Sequence, residues 1–186
     1  MRDKPIYSFL IFLLISFSAA AQNKPIRFQS INSIGFVAGE SNANAEFQTV
    51  NGIQLSNWFS GIGVGLDYYR YKTVPLFFDA RRYFEKEKKV FVYGDLGYDL
   101  PMKNRPGKEV GNYDSYHSKG GLYTDIGIGY KTNLIKKTSF SFSLGYSYKE
   151  LQTNIGVTTR CFQCQPEFYS YKFNYGRMIM KAGLEF

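Results

Sequence analysis

The sequence predicts an all-β fold: a closed, antiparallel transmembrane β-barrel of about eight strands joined in an up-and-down meander. Three observations support this prediction. The chain of 186 residues contains 16 Tyr, 17 Phe and 18 Gly, a composition typical of short strands with aromatic girdles. Short segments alternate apolar and polar residues, with turn residues between them. Beyond the N-terminal segment, no apolar run approaches the ~20 residues that a membrane-spanning helix needs.

The last stretch, residues 169–186, shows the alternation most clearly. Small or apolar residues occupy every second position from Gly176 to Phe186, and the positions between include Arg177, Lys181 and Glu185. This is the period of a strand, since a helix would mix the two sets on one face. A terminal strand with one apolar and one charged face needs a partner on both edges, and closure onto the first strand supplies the second partner.

The N-terminus predicts a secretory signal peptide over residues 1–21. Arg2 and Lys4 form a charged region, an apolar run follows over 6–17, and a small-residue cleavage site ends at Ala21. The alternative is a membrane-anchoring helix, for which the run is too short. We therefore expect a polar lead-in over 22–29 and one barrel domain over 30–186.

The charge balance is basic, with 23 Lys and Arg against 15 Asp and Glu, a formal net charge of +8. Two interpretations are open. The excess could favour anionic lipid headgroups or lipopolysaccharide phosphates, or it could reflect solvated loop lysines. Nucleic acid is a poor partner for an exported protein.

Eight segments of strand length follow one another along the chain, with connections of two kinds. The predicted strands cover residues 34–39, 47–55, 62–69, 76–83, 90–99, 122–131, 139–148 and 169–186. The first two are weak, and Asn51-Gly52 suggests a bulge in the second. Loops or turns are predicted at 41–45 and 57–61, and long breaks at 101–119 and 150–167. With the N-terminus inside, the turns near residues 58, 86 and 136 lie inside and the longer loops near 42, 72, 105 and 161 lie outside, an asymmetry typical of such barrels.

Two stretches carry a resemblance to a known family: residues 75–81 (PLFFDAR) and 93–98 (YGDLGY). With them the chain resembles small eight-stranded outer-membrane barrels of the OmpA/OmpX kind, and most closely the outer membrane protein β-barrel domain family. The resemblance implies the outer membrane of a Gram-negative cell, contact with its lipid and lipopolysaccharide, and recognition of the closing strand and its terminal Phe186 by the barrel-assembly machinery. It implies no particular activity.

Inward-facing charges predict an ion-pair layer in the lumen. If Leu66 and Leu96 face lipid, the alternate positions face inward, and they include Asp67, Asp79, Arg81, Asp95, Asp125, Lys131, Arg177 and Lys181. An eight-stranded barrel is only wide enough for its side chains to fill, and crowded carboxylates at similar depth need cations. We predict a plug of Asp–Arg and Asp–Lys pairs, helped by Tyr93 and Tyr123, without a continuous pore. A proton or ion path is the alternative use of such a layer.

Arg82 departs from the pattern, because its parity faces lipid. It lies near the predicted inner rim, where a long cationic side chain can reach the membrane surface.

Two further groups of residues have chemistry to be weighed. His117 is the only histidine and precedes Ser118, so a nucleophile–base pair of a lipid hydrolase is one interpretation. A solvated histidine in the loop 101–119 is the favoured one. Cys161 and Cys164 could form a local disulfide, a redox pair or part of a zinc site; the disulfide is favoured in an exported chain.

We therefore expect a non-enzymatic, surface-anchored module whose outer loops bind a lipid headgroup, a polymer or a protein partner. The alternatives are an outer-membrane lipid hydrolase and a narrow passive channel. No cofactor and no metal is predicted.

Overall fold

The computed structural model describes residues 26–39, 42–69, 71–84, 87–102, 115–135, 138–157 and 167–186. Its nine strands are β1 (Ile26–Ala38), β2 (Ala43–Leu55), β3 (Trp58–Asp67), β4 (Thr73–Phe84), β5 (Val90–Pro101), β6 (Ser115–Lys119), β7 (Gly121–Ile135), β8 (Thr138–Val157) and β9 (Glu167–Glu185). Within these ranges no helix is long and apolar enough to cross a membrane.

The strands form a closed antiparallel barrel with eight positions around its wall. Each strand pairs with its neighbour in the chain, and β9 pairs with both β8 and β1, which closes the sheet. β6 and β7 lie end to end against β8, on either side of Gly120, and share one position. The predicted fold class, an eight-stranded up-and-down barrel, is confirmed.

The pairing register makes the barrel narrow. Stepping from Ile26 across successive strands, the path of paired residues returns to β1 at Phe36, ten residues further along. The path runs through Leu55, Trp58, Arg82, Val92, Ile128, Leu144 and Met180. Eight strands with this stagger tilt by about 40° and enclose a radius of about 8 Å. Side chains can fill such an interior.

Alternate residues of every strand separate an apolar outside from a polar inside. Leu66, Phe78, Leu96 and Ile126 lie on the outside, with exposed fractions of 39%, 52%, 61% and 63%. The residues between them point inward and are largely buried. We call the end of the barrel that carries Ile26 and the C-terminus the inner end, and the opposite one the outer end.

Two inward-facing glycines make room for aromatic rings. A Cβ atom on Gly63 would lie 2.4 Å from the Phe77 ring, and one on Gly129 would lie 2.2 Å from the Phe91 ring. Each glycine is directly paired with the aromatic residue whose ring fills its space. The expectation that inward glycines create space in a narrow barrel fits this packing.

The first two strands are longer and more regular than predicted. β1 begins at Ile26, so residues 26–29 of the predicted lead-in are strand, and residues 43–45 belong to β2. The bulge predicted at Asn51-Gly52 is wrong, since pairing with both neighbours continues through it. Polar residues that face a polar lumen had hidden the alternation.

The inner connections are also tighter than predicted. Residues 58–61 are strand and not turn, and the β2–β3 turn is only Ser56-Asn57. Ser56 takes a φ of 56°, which two-residue hairpin turns favour. The connections 85–89 and 136–137 are short as well, and the outer connections include the longer 102–114 and 158–166.

Both predicted long breaks contain strand. Residues 115–119 form β6, residues 150–157 continue β8, and β9 begins at Glu167. The strands continue beyond the closed wall because they pair with one another there: β6 and residues 167–174 of β9 flank residues 150–157 of β8. Their outward residues are polar, so the apolar period ends before the pairing does. We call this three-stranded sheet the outer extension.

Candidate functional site: the lumen and the outer extension

Charged side chains line the lumen from end to end. Seven are acidic: Glu46, Asp67, Asp79, Asp95, Asp99, Asp125 and Glu185. Five are basic: Arg81, Lys131, Lys149, Arg177 and Lys181. All the predicted lumen residues are in this set, and the contacts divide the set into three tiers.

The inner tier centres on Glu185. Its carboxylate lies 2.6 Å from Lys131 Nζ and 3.8 Å from the Arg81 guanidinium. Gln29 donates a hydrogen bond of 2.7 Å to the same carboxylate. Arg81 also binds both oxygens of Asp79, its neighbour two residues along β4, at 2.8–3.0 Å. Such two-pronged contacts fix geometry as well as charge.

The middle tier centres on Lys181. Its Nζ lies 2.6 Å from Asp125 and 3.4 Å from Asp95, and it donates to Gln48 Oε1 at 3.1 Å. The ammonium group also sits 4.4 Å from the centroid of the Tyr93 ring. The Tyr93 hydroxyl donates to Asp125 at 3.0 Å. One cation thus bridges the carboxylates of two neighbouring strands.

Three of the four predicted aspartates lie side by side across the sheet. Asp79 pairs with Asp95, which pairs with Asp125. Like charges directly opposite one another repel, so the flanking cations are needed for this row to be buried. Asp67 departs from the row: Gly61 is the residue of β3 that pairs with Asp79, and Asp67 lies six residues nearer the outer end.

The outer tier centres on Asp67. Its carboxylate contacts Arg177 at 2.5 Å and Lys149 at 2.8 Å. Lys149 Nζ also lies 3.6 Å from Asp99, and Arg177 donates to the Ser147 hydroxyl at 2.8 Å. The Arg177, Lys149 and Asp67 side chains have no exposed surface, so each charge depends on its partners.

Glu46 is held by neutral donors. The Tyr123 hydroxyl donates to its carboxylate at 3.1 Å, and Gln48 Nε2 donates to it at 2.9 Å. Within the described residues, Glu46 is the lumen carboxyl group that has no ion pair. Part of the acidic excess in the lumen is therefore stabilised by hydrogen bonds alone.

Aromatic rings fill the space between the tiers. The buried apolar cluster comprises Ile31, Val50, Phe59, Phe77, Tyr83, Phe91, Tyr93 and Tyr123. A cavity of about 10 Å³ remains between Arg81, Tyr93 and Lys181, which is room for no more than one water molecule. A wider cavity of about 880 Å³ opens at the inner mouth beside Lys131 and Glu185. The contacts of the inner tier lie at its floor.

Four lumen charges were absent from the predicted set. Asp99, Lys149 and Glu185 continue the inward parity of predicted positions, so extending the alternation by a few residues would have found them. Glu46 follows a segment that was predicted as loop, and no alternation signalled it.

Other predicted residues have different outcomes. The backbone of Phe186 exchanges two hydrogen bonds with Ser30, of 2.8 and 3.1 Å, and its side chain is 55% exposed on the outside. The loop placement of His117 and Ser118 is wrong, since both belong to β6 and pair with β8. The His117 side chain, and both Cys161 and Cys164, lie outside the described residues, so the hydrolase and disulfide hypotheses stay predictions. No group of three or more potential metal ligands occurs among the described residues.

The inward parity of β9 changes chemistry in the outer extension. Tyr171, Phe173 and Tyr175 follow one another at alternate positions, with ring centroids 6.4 and 6.2 Å apart and planes inclined by 23° and 8°. Tyr71 lies 6.3 Å from Phe173, and Tyr69 lies 5.8 Å from Tyr175. These rings form an aromatic row that begins where the ion pairs end.

The outer extension is an open sheet. β1 pairs with β9 only as far as Met178, so residues 167–177 of β9 have a strand partner on one side only within the described residues. There β6 pairs only with β8. Unpaired strand edges present rows of backbone donors and acceptors to an additional strand.

Taken together, the fold is that of the small outer-membrane β-barrels. No protein-family model matches the sequence, and no curated protein matches it. Among solved structures, the chain is similar to the outer membrane protein AlkL in lipid bilayers, at 14% identity and a TM-score of 0.54, covering 88% of this chain and 90% of AlkL. It also matches the outer membrane protein OprG from Pseudomonas aeruginosa at 10% identity and a TM-score of 0.46, covering 86% and 95% of the two chains. A designed barrel, TMB2.3, matches at 12% identity and a TM-score of 0.44, covering 89% and 96%.

Proposed function

We propose that this protein is a non-enzymatic outer-membrane barrel whose plugged lumen anchors a protein-binding surface, the outer extension, at the cell surface. The observation that carries the proposal is the change along β9 from buried ion pairs to a half-exposed aromatic row. The barrel supplies a rigid base, and the extension supplies contact area.

The membrane location is supported by the outer surface. The outward positions form a continuous apolar belt, and aromatic residues such as Trp58 and Tyr98 lie towards its two borders, as in barrels that span a bilayer. Arg82, whose parity faces outward, lies over the rings of Trp58 and Phe84 at 5.3 and 5.5 Å. The rings cover its apolar stem near the inner border, where its charge can reach the membrane surface.

The anchoring role is supported by the packing of the lumen. Three tiers of ion pairs and a cluster of rings occupy the cross-section, so a hydrated path would have to break buried charge contacts. Each broken contact would leave an unpaired charge in a poorly hydrated site. A passive channel is therefore the weaker of the two hypotheses.

A protein partner is the class of ligand that the extension fits best. Tyrosine and phenylalanine side chains give large, stiff contact areas and are enriched at protein interfaces. An open edge beside them offers backbone hydrogen bonds to an extended peptide, and such strand addition uses side-chain pockets for specificity. Tyr169 and Tyr171 keep 47% and 48% of their surface exposed. The extension thus combines both requirements.

Cysteine labelling tests the location and orientation. In a variant whose native Cys161 and Cys164 are replaced by Ser, we introduce Ser170→Cys in the outer extension. An impermeant maleimide should label it on intact cells, and the matched inner-turn variant Asn57→Cys should react only after lysis. Labelling of Asn57→Cys and not Ser170→Cys on intact cells would reverse the orientation.

Site-specific crosslinking tests the binding surface. A photoreactive phenylalanine analogue at Tyr171 should give a discrete crosslinked protein species in intact cells. The same analogue at Tyr130, on the outward face of β7, serves as the matched control and should not give it. The further change Phe173→Ala should abolish the species. An unchanged species in the Phe173→Ala background, or its absence at Tyr171, would contradict the proposed surface.

A further inference from the structure

The outward wall formed by β1 and β2 differs from the rest of the apolar belt. Four polar residues, Ser30, Asn32, Thr49 and Asn51, occupy successive outward positions on these two strands. They are cross-strand neighbours: Ser30 pairs with Asn51, and Asn32 pairs with Thr49. We call these four residues the polar patch.

The polar patch lies at the middle of the belt. Asn32 is the seventh of the thirteen residues of β1, and Thr49 is the seventh of the thirteen of β2. Thirteen strand residues tilted by about 40° rise roughly 30 Å, which is about the thickness of the hydrocarbon core. The centre of each strand is therefore far from both headgroup layers.

Bulky apolar residues surround the patch above and below. Ile34 and Phe47 lie towards the outer end with exposed fractions of 50% and 44%, and Phe28 and Ile53 lie towards the inner end at 71% and 52%. The opposite wall carries no comparable group: at mid-depth on β7 it presents Ile126 and Ile128. The polar residues are thus confined to one wall of the described barrel.

Hydrogen bonding within the chain leaves the patch incomplete. Thr49 donates its hydroxyl to Asn32 Oδ1 at 2.8 Å. That contact uses an acceptor of Asn32 and leaves its two amide N–H donors. Within the described residues no hydrogen bond involves the Asn51 side-chain amide, which is exposed on the outside. In hydrocarbon, unsatisfied amides are costly.

We propose that the β1–β2 wall is a dimer interface at which two copies of this chain meet, polar patch against polar patch, inside the membrane. Asparagine both donates and accepts, so a two-fold axis through the patch lets each copy satisfy the other. The patch carries no net charge and calls for no oppositely charged partner. Acyl chains can fill an apolar wall but cannot pair with an amide.

The shape of this wall agrees with the proposal. A groove of about 760 Å³ opens beside Asn32 and Thr49, bounded by Ile34, Phe47 and Leu184. Large apolar side chains of the second copy fit such a groove, and buried apolar packing around a polar centre is how membrane segments associate. The inference rests on the proposed membrane location and is independent of the outer extension.

Sedimentation equilibrium of the purified full-length barrel in density-matched detergent micelles tests the proposal. The wild type should show a monomer–dimer equilibrium, and Asn32→Leu with Asn51→Leu should raise the dimer Kd about tenfold or more. The single change Thr49→Val should raise the Kd about threefold and decides the question if the double variant does not fold. Thr124→Leu, an equivalent polar-to-apolar change on the opposite wall, should leave the Kd unchanged.

Three results would overturn the dimer. They are a wild-type mass of one chain at every concentration, a Kd that is equal in the wild type and the double variant, or a monomer that associates with a different membrane protein through this wall. Heat-dependent mobility on gels and insertion into liposomes separate this failure from that of the membrane location. A folded, inserting, monomeric barrel contradicts only the dimer, and a wild type that does not insert contradicts both.

Discussion

The barrel body and the outer extension use the same strand in opposite ways. On β9, Arg177 and Lys181 face inward in the body and are buried in ion pairs. Four and six residues before Arg177, at the same parity, Phe173 and Tyr171 are aromatic and partly or largely exposed. Backbone pairing with β8 continues through both regions without a register shift.

The difference follows from the far wall. In the body, seven other strand positions enclose the inward side chains, so a charge there survives only with partners. In the extension three strands remain, and the inward face becomes a surface. Burial therefore selects ion pairs at one end of β9, while exposure permits rings whose faces stay available. Stability should be concentrated in the body and recognition in the extension.

Removal of a body cation should have the largest effect on stability. Arg177→Ala leaves Asp67 with one of its two cations in a fully buried site, and we expect the free energy of unfolding to fall by about 3–5 kcal/mol. Urea unfolding in lipid vesicles, followed by tryptophan fluorescence of Trp58, measures it.

The matched control for Arg177→Ala is Lys172→Ala on the same strand. Lys172 lies 3.2 Å from Glu150 in the outer extension and is 62% exposed. We expect no measurable change in global unfolding for this variant. Equal losses in the two variants would remove the distinction between body and extension.

A neutral contact in the body should contribute less. Tyr123→Phe removes the hydroxyl that donates to Glu46 and accepts from Gln48 at 2.7 Å. The buried polar groups that remain lose a partner, so the expected cost is about 1–3 kcal/mol in the same urea assay. An unchanged midpoint would show that a water molecule replaces the hydroxyl.

A ring in the extension should contribute least to global stability. Tyr171 is 48% exposed and stacks on one ring, so Tyr171→Ala should change the free energy of unfolding by less than about 0.5 kcal/mol. The same variant should lose the partner contact proposed above. A loss of stability as large as that of Tyr123→Phe would mean that the extension is part of the structural core.

The smallest effect concerns a carboxyl group in the extension. A hydrogen bond from Tyr148, together with Lys172, lowers the pKa of Glu150 below its ordinary value. A lowered folded-state pKa means that the stabilisation is present at neutral pH and is lost as the pH falls through that pKa. In NMR titrations the Glu150 pKa should rise in Tyr148→Phe and, by less, in Lys172→Ala. The reverse order would make the ion pair the larger cause.

The period of two predicted which side of the wall each charge faces, but not its height. Lys181 and Asp125 were both predicted inward, and their contact depends on the stagger of ten residues around the barrel, which no local pattern contains. The same limit explains Asp67, which was predicted level with Asp79 and lies nearer the outer end. Glu46 was missed because the predicted loop before it is strand.

The outer extension was hidden for a related reason. Residues 150–157 have polar outward side chains above the belt, such as Gln152, so hydropathy gives no strand signal there. Only the pairing with residues 167–174 of β9 keeps them extended. The aromatic row on β9 was visible as alternating letters, but its open edge depends on where β1 ends.

The central claim is that the lumen is plugged, and single-channel recording tests it most directly. The purified wild-type protein, inserted into a planar bilayer and bathed in 1 M KCl, about a molar salt concentration at which exposed charges are screened within ~3 Å, should show no steady conductance. A porin in the same bilayer serves as the positive control for detection. Steady, reproducible conductance steps from the folded wild-type barrel would contradict the plug and favour the passive channel.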